Sequence, residues 1–130
     1  MRAFDMTAGA FALDVPVKWL DNLLSHHRIP GVAGGRQGVR RRLQPEAILR
    51  IAIAIRLLRE LGLPVHRALD VADRLRRNGS VAGEDGFELR IDVDALSRRL
   101  EARLADVAES ALPRRRGRPR RRASPVAIPD

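Results

Sequence analysis

The sequence has no cysteine and no tyrosine, and Lys18 is its single lysine. Without thiols there is no disulfide and no thiolate metal site, and a reducing compartment is compatible with the chain. Aromatics are scarce, three Phe and one Trp. A core must therefore be built from Leu, Ile, Val and Ala. The same scarcity weakens an RNA-binding reading, because no stacking residues interleave the arginines. Long apolar runs are missing too. The most apolar stretch, Ile48 to Leu58, contains Arg50 and Arg56 and is too short to span a bilayer. The apolar patch near the N-terminus is interrupted by Asp5 and Asp14 and makes a poor signal peptide. The expectation is a soluble, cytoplasmic protein with no membrane partner.

Catalytic constellations are missing as well. No Ser/His/Asp set, glycine-rich phosphate loop or paired-carboxylate motif is visible, so the chain does not read as an enzyme. Asp92 and Asp94 read as acids at a helix start. His26 and His27 are adjacent, about 100° apart on a helix, and cannot share a metal from one face. His66 falls on a separate predicted helix. No metal and no cofactor are expected.

What is present is arginine. Across 130 residues, Lys+Arg is 25 against Asp+Glu 16, a net charge of +9. Nearly all the positive charge is guanidinium, a planar fork of donors suited to phosphate oxygens and guanine edges. A GC-rich genome would favour Arg over Lys, but it explains the clustering less well. From Pro113 on there are seven Arg and one Asp, +6 of the +9. The second cluster lies in His26 to Glu46. There, Pro30, Gly31, Gly34, Gly35 and Gly38 break any helix, and Arg36, Arg40, Arg41 and Arg42 follow one another closely. This is the composition of a glycine-punctuated, arginine-loaded hairpin. Glu46 is the only acid close to it in sequence.

Periodicity predicts a mainly helical protein. A short helix is expected over Thr7 to Leu13, with Thr7 as its N-cap. Asp14-Val15-Pro16 turns the chain into a second helix, Val17 to His26. Trp19, Leu20, Leu23 and Leu24 face inward there, while Lys18, Asp21, Asn22 and Ser25 face out. The hairpin follows, with its turn within Ala33 to Gln37. A central buried helix opens at Pro45-Glu46 and ends at Gly62. Another runs from Val65 to Arg77, with Val65, Leu69, Ala72 and Leu75 on one face. Val81 to Ile91 reads as a second small hairpin turning at Glu84-Asp85-Gly86. Asp92 then caps an amphipathic helix to about Ala111, striped by Val93, Leu96, Leu100, Leu104 and Val107. Pro113 is expected to end the order, leaving a disordered basic tail. The division is residues 1–79, a DNA-binding unit; 80–112, hairpin and helix; and 113–130, tail.

At this point the chain resembles the MerR-like winged helix-turn-helix family over about Thr7 to Leu75. The residues that carry the resemblance are Val15-Pro16, Ile29-Pro30, Arg36 with Gly38-Val39-Arg40-Arg41, and Leu43-Gln44-Pro45-Glu46. Most specific is Ile55-Arg56-Leu57-Leu58-Arg59-Glu60-Leu61-Gly62-Leu63-Pro64, which looks like the family's join between its third and fourth helices. There are departures. The first helix is about two residues short, Asp21 stands where an arginine is usual, and Leu43 replaces an aromatic at the wing's end. The resemblance implies a winged fold, binding of double-stranded DNA and dimerisation through a C-terminal helix. With no thiol and no large sensor domain, metal or drug sensing is not carried over. Small excisionases and some antitoxins share this winged fold.

The candidate contacts follow. Lys18, Asn22 and Ser25 would face base edges in a major groove. Asn22 reads equally as an exposed residue with no partner. Arg28, Arg36, Arg40, Arg41 and Arg42 would meet phosphates through the wing, positioning the protein without reading sequence. In the tail, Arg114 to Arg122 resembles an AT-hook. Arg116, Gly117, Arg118, Pro119 and Arg120 would lie along a narrow minor groove, glycine admitting the backbone and proline keeping it extended. The alternative is a tail that binds any polyanion. The Val93 to Ala111 helix would zip with a second copy, mask a toxin in an antitoxin-like role, or pack on its own domain. A transcriptional regulator, cytoplasmic and nucleoid-associated, is the expected function.

Overall fold

A computed structural model describes the backbone of residues 3–36 and 38–116, and side chains as far as Val107. The fold is mainly helical. In chain order it runs α1 (Met6–Leu13), α2 (Val17–His26), β1 (Val32–Ala33), β2 (Arg42–Leu43), α3 (Pro45–Leu61), α4 (Val65–Asn78), β3 (Ser80–Ala82), β4 (Glu88–Arg90) and α5 (Val93–Arg116). The strands form two separate antiparallel pairs, β1 with β2 and β3 with β4.

The core sits around α3, as its apolar spacing predicts. Ala47, Ile48, Ile51, Ala52, Ile53, Ala54, Ile55 and Leu57 are all buried. Pro45 opens the helix, where its missing N–H would have no partner anyway. Gly62 closes it in the left-handed region at φ 66°. α4 packs along α3 through Ala68, Leu69, Ala72 and Leu75. Arg50 ties the two helices together, its Nε donating to the Leu69 carbonyl at 3.0 Å.

Asp73 is the charged hub of α4. It accepts from Arg76 at 2.9 Å and pairs with Arg77 at 3.1 Å. The hydrogen bond from Arg76 and the nearby charges of Arg50 and Arg77 hold its carboxyl below the usual range, against the opposing effect of burial. A depressed carboxylate stabilises the fold at pH values above its unfolded pKa, about 3.9. That contribution is lost as pH falls through the lower folded value. Asp73→Asn is therefore expected to cost roughly 1 kcal/mol at neutral pH. In urea titrations the gap to the native chain should narrow below about pH 4. A pH-independent gap would assign the loss to packing instead.

α1 differs from expectation in its cap. Asp5, not Thr7, accepts from the Ala8 N–H at 2.8 Å. The cause lies outside the helix. Phe4 is held extended against Leu43 by two backbone hydrogen bonds, 2.8 and 2.7 Å, so the helix begins directly after that bridge. Leu43 is 0% exposed and packs beside Gly9 and Leu20, which pins the base of the first hairpin into the core.

α5 lies across α1 and α3. Leu100 and Leu104 are buried, and Leu96 and Val107 are half-buried against the same core. Arg103 finishes the contact. Its guanidinium donates to the Ala12 and Phe11 carbonyls at 3.1 and 2.8 Å and stacks 5.0 Å from the Phe11 ring centroid. It thus satisfies the Ala12 carbonyl at the end of the helix and adds a second donor to the Phe11 carbonyl, which already accepts from the Asp14 N–H at 3.1 Å. Asp92 caps α5 as predicted, accepting from the Ala95 N–H at 3.0 Å. The expected stop at Pro113 is corrected: the helix continues to Arg116. Proline costs the helix one N–H bond there, while its fixed φ stays in the helical range. The second hairpin forms as predicted, with Val81 opposite Leu89.

Candidate nucleic-acid interface

α2 is amphipathic by sequence, and its two faces separate as the spacing requires. Leu20 and Leu23 are buried, and Trp19 and Leu24 are half-buried against the core. Lys18, Asn22 and Ser25 are exposed and, at i, i+4 and i+7, share one face. The last turn is closed by His26, whose Nδ1–H donates to the Asn22 carbonyl at 2.8 Å.

The chain then leaves α2 into the β1–β2 hairpin, whose shape glycine dictates. Gly34 has φ +85°, and a Cβ placed there would lie 2.2 Å from the Arg40 carbonyl oxygen. The two limbs of the loop therefore cross with backbone against backbone, which only glycine permits. Beyond the crossing, the Gly35 N–H donates to Val39 at 3.0 Å and the Val39 N–H to Arg36 at 2.9 Å. At the base, the Gln44 N–H donates to Gly31 at 2.8 Å. Arg42 and Leu43 point to opposite sides of β2, Arg42 to solvent and Leu43 to the core.

One contact ties the hairpin to α2. Arg41 pairs with Asp21 through Nη1, and its Nη2 lies 3.3 Å from the Ser25 hydroxyl. Ser25 in turn donates to the Asp21 carbonyl at 2.9 Å. Glu46 is the acid nearest the arginine cluster in sequence, but it is not the one that pairs with it. Asp21 is twenty residues away in sequence but adjacent in space. The acid that stands out on the exposed face of α2 is thus neutralised by the hairpin. Arg41 and Ser25 act within the protein as a brace.

The other cations are free. Among the described residues, Lys18, Arg28, Arg36, Arg40 and Arg42 are exposed and make no ion pair. Ser25, Arg28, Arg36 and Arg41 line one open cleft of about 710 Å³ between the end of α2 and the hairpin. Arg40 lines a second cleft, which it shares with Asp5 and Asp21. Lys18, Asn22 and Arg42 line neither. The expected tail contacts Gly117, Arg118, Pro119 and Arg120 lie outside the described residues, and Arg116 is the last residue of α5.

Sequence spacing missed one further group. Arg28 shares a smaller cleft with His27, Arg50, His66, Arg67 and Asp70, the last of which pairs with Arg74 at 3.8 Å. The first turn of α4 carries no acid, and its N-cap, Pro64, offers no side-chain oxygen. His66 and Arg67 thus extend the basic surface past Arg28. A possible signal was the basic first turn itself, since acids are favoured there. No protein-family model matches this chain, and neither does any curated protein or solved structure.

Proposed function

We propose that the chain is a winged helix-turn-helix protein of MerR-like type that binds double-stranded DNA and regulates transcription. α1 and α2 are the helix-turn-helix, and the β1–β2 hairpin is the wing. One observation carries the reading. α2 and the hairpin joined to it present five cations that, among the described residues, no carboxylate satisfies. Exposed like charges this close repel one another, and an anionic partner removes that cost. In this reading Lys18 and Asn22 face base edges in the major groove, where an amide can pair bidentately with adenine. Arg28, Arg36, Arg40 and Arg42 meet phosphates on either side. Arg41 does not contact DNA; it cancels Asp21 and fixes the wing's distance from α2.

The arginine-rich tail adds a second contact on the same chain, which raises its effective concentration at the duplex. The antitoxin-like alternative needs a free apolar stripe on α5. Leu100 and Leu104 of that stripe are instead seated in the core of their own chain.

The test is a duplex titration of the full chain at several ionic strengths. If six or more phosphates are contacted, affinity should fall roughly a thousandfold or more between ~50 and ~200 mM salt. A flat dependence, or no complex at low salt, would overturn the proposal.

A further inference from the structure

Phe87 is 74% exposed at the tip of the β3–β4 hairpin, in a chain with only three phenylalanines. The turn that displays it is a costly one. Asp85, a non-glycine residue, is held left-handed at φ 58°, and Gly86 follows at φ 76°. The Gly83 N–H donates to the Phe87 carbonyl at 2.6 Å, and the Phe87 N–H to Glu84 at 3.0 Å. The ring is thus fixed outward rather than left on a loose loop. Glu84 and Asp85 beside it are exposed and, among the described residues, pair with no cation.

A complementary feature lies between α3 and α5. It is a largely apolar groove of about 270 Å³, floored by Ile53, Leu57 and Leu96 and edged by Ala95, Arg56, Arg99 and the helix-capping Asp92. A cavity of about 150 Å³ already accommodates benzene, so a phenyl ring fits. Arg99 makes no ion pair among the described residues, and Arg56 has only an exposed pair with Glu60 at 3.3 Å. The ring is flanked by two acids, and the groove by two arginines and by Asp92, whose carboxylate already caps α5 through the Ala95 N–H.

Phe87 cannot fill its own groove. The groove's near end is Ile91, four residues on, and β4 is held extended against β3 between them. That is a separation of roughly 13 Å along the strand. Both halves of the contact nevertheless stand on one chain, so a second copy can supply what the first lacks, and the contact closes as a pair when each chain serves the other.

We propose that two copies of this chain associate symmetrically, each placing Phe87 in the α3–α5 groove of the other. Glu84 and Asp85 then meet Arg56 and Arg99. The interface uses no residue of the α2–hairpin surface, so it stands or falls independently of DNA binding. Two aromatic anchors make a small interface, and the dimer is expected to be transient, with a dissociation constant of roughly micromolar order.

The experiment is sedimentation velocity on the full chain without DNA, from ~1 to ~200 μM, a range that brackets micromolar association. The native chain should move from monomer to dimer across the series. Phe87→Ser should weaken association about tenfold or more, with an unchanged melting curve because the side chain is already exposed. Arg99→Glu should do the same, and adding Glu84→Arg should restore the dimer. The absence of native cysteine allows a direct check. Oxidised Phe87→Cys/Ala95→Cys should run as a linked pair of chains on a non-reducing gel. A native chain that stays monomeric throughout, a Phe87→Ser variant that dimerises as well as the native chain, or a linkage confined within single chains would overturn the proposal.

Discussion

Replacing Arg36, Arg40 and Arg42 together with alanine is expected to lower duplex affinity about a hundredfold or more near ~100 mM salt. The slope of log affinity against log salt should become shallower by about 2.7, since each phosphate contact contributes about 0.9. All three side chains are exposed and unpaired among the described residues, so the melting temperature should scarcely move. The control removes the same charge elsewhere. Arg59, Arg74 and Arg98 are exposed on α3, α4 and α5 and line none of the clefts around α2 and the hairpin. Changing those three to alanine should leave the slope nearly intact. Equal losses in the two triple variants would mean that net charge, not the wing, holds the duplex. Fluorescence anisotropy with a labelled duplex separates the outcomes.

This contrast follows from how the positive charge is distributed. Arg74, Arg76 and Arg77 on α4 sit beside Asp70 and Asp73, and Arg56 sits beside Glu60. Those pairs lie three or four residues apart on a helix, the spacing at which opposite charges support it. The hairpin has no such internal partners. Among the described residues of the hairpin only Arg41 is paired, and its partner lies on another element.

That difference also marks what could be read from the chain. Helix α2 was legible to the residue because its apolar positions keep one face and Pro16 fixes its start. α3 was legible because Pro45, Glu46 and Gly62 are local punctuation, and the exposure of Lys18, Asn22 and Ser25 follows from the same periodicity. Apart from the continuation of α5 past Pro113, the missed features are tertiary. The Asp21–Arg41 brace joins residues twenty apart, and Asp5 displaces Thr7 as cap because Phe4 is held by Leu43. His66 and Arg67 reach Arg28 only because α4 folds back along α3. The stripe on α5 was visible, but its pattern is the same whether it meets a second chain or its own α1.

The brace also accounts for the one departure that counts most against a phosphate-facing α2. An acid on that face would repel a duplex if it stood alone. Here Asp21 is cancelled by Arg41, and the pair fixes the hairpin against α2. Removing Asp21 would thus free a guanidinium and loosen the hairpin at once, two effects of opposite sign on the proposed affinity for duplex. Backbone geometry gives a cleaner test of whether wing shape matters.

Gly34→Ala supplies it. The left-handed φ at this position is strained for any residue with a Cβ, at a cost of about 1–2 kcal/mol. The new methyl would also lie 2.2 Å from the Arg40 carbonyl oxygen, and backbone cannot turn away as a side chain can. The limbs of the hairpin must separate, which breaks the approach that carries Arg40 and Arg41 into place. Gly38→Ala is the matched control, since Gly38 also has positive φ, +75°, but a Cβ there meets nothing within 4 Å. Gly34→Ala is expected to destabilise the chain by about 2 kcal/mol more than Gly38→Ala, the range in which overpacking is felt. Alternatively the hairpin opens locally while the core melts as before, because Leu43 still anchors its base. Amide exchange at Gly35 and Val39 distinguishes the two, since their backbone hydrogen bonds lie beyond the crossing. In either case duplex affinity should fall at least tenfold with every arginine still present. A Gly34→Ala chain that bound duplex like the native one would show that the arginines act as loose charge, and that the shape of the wing has no part in binding.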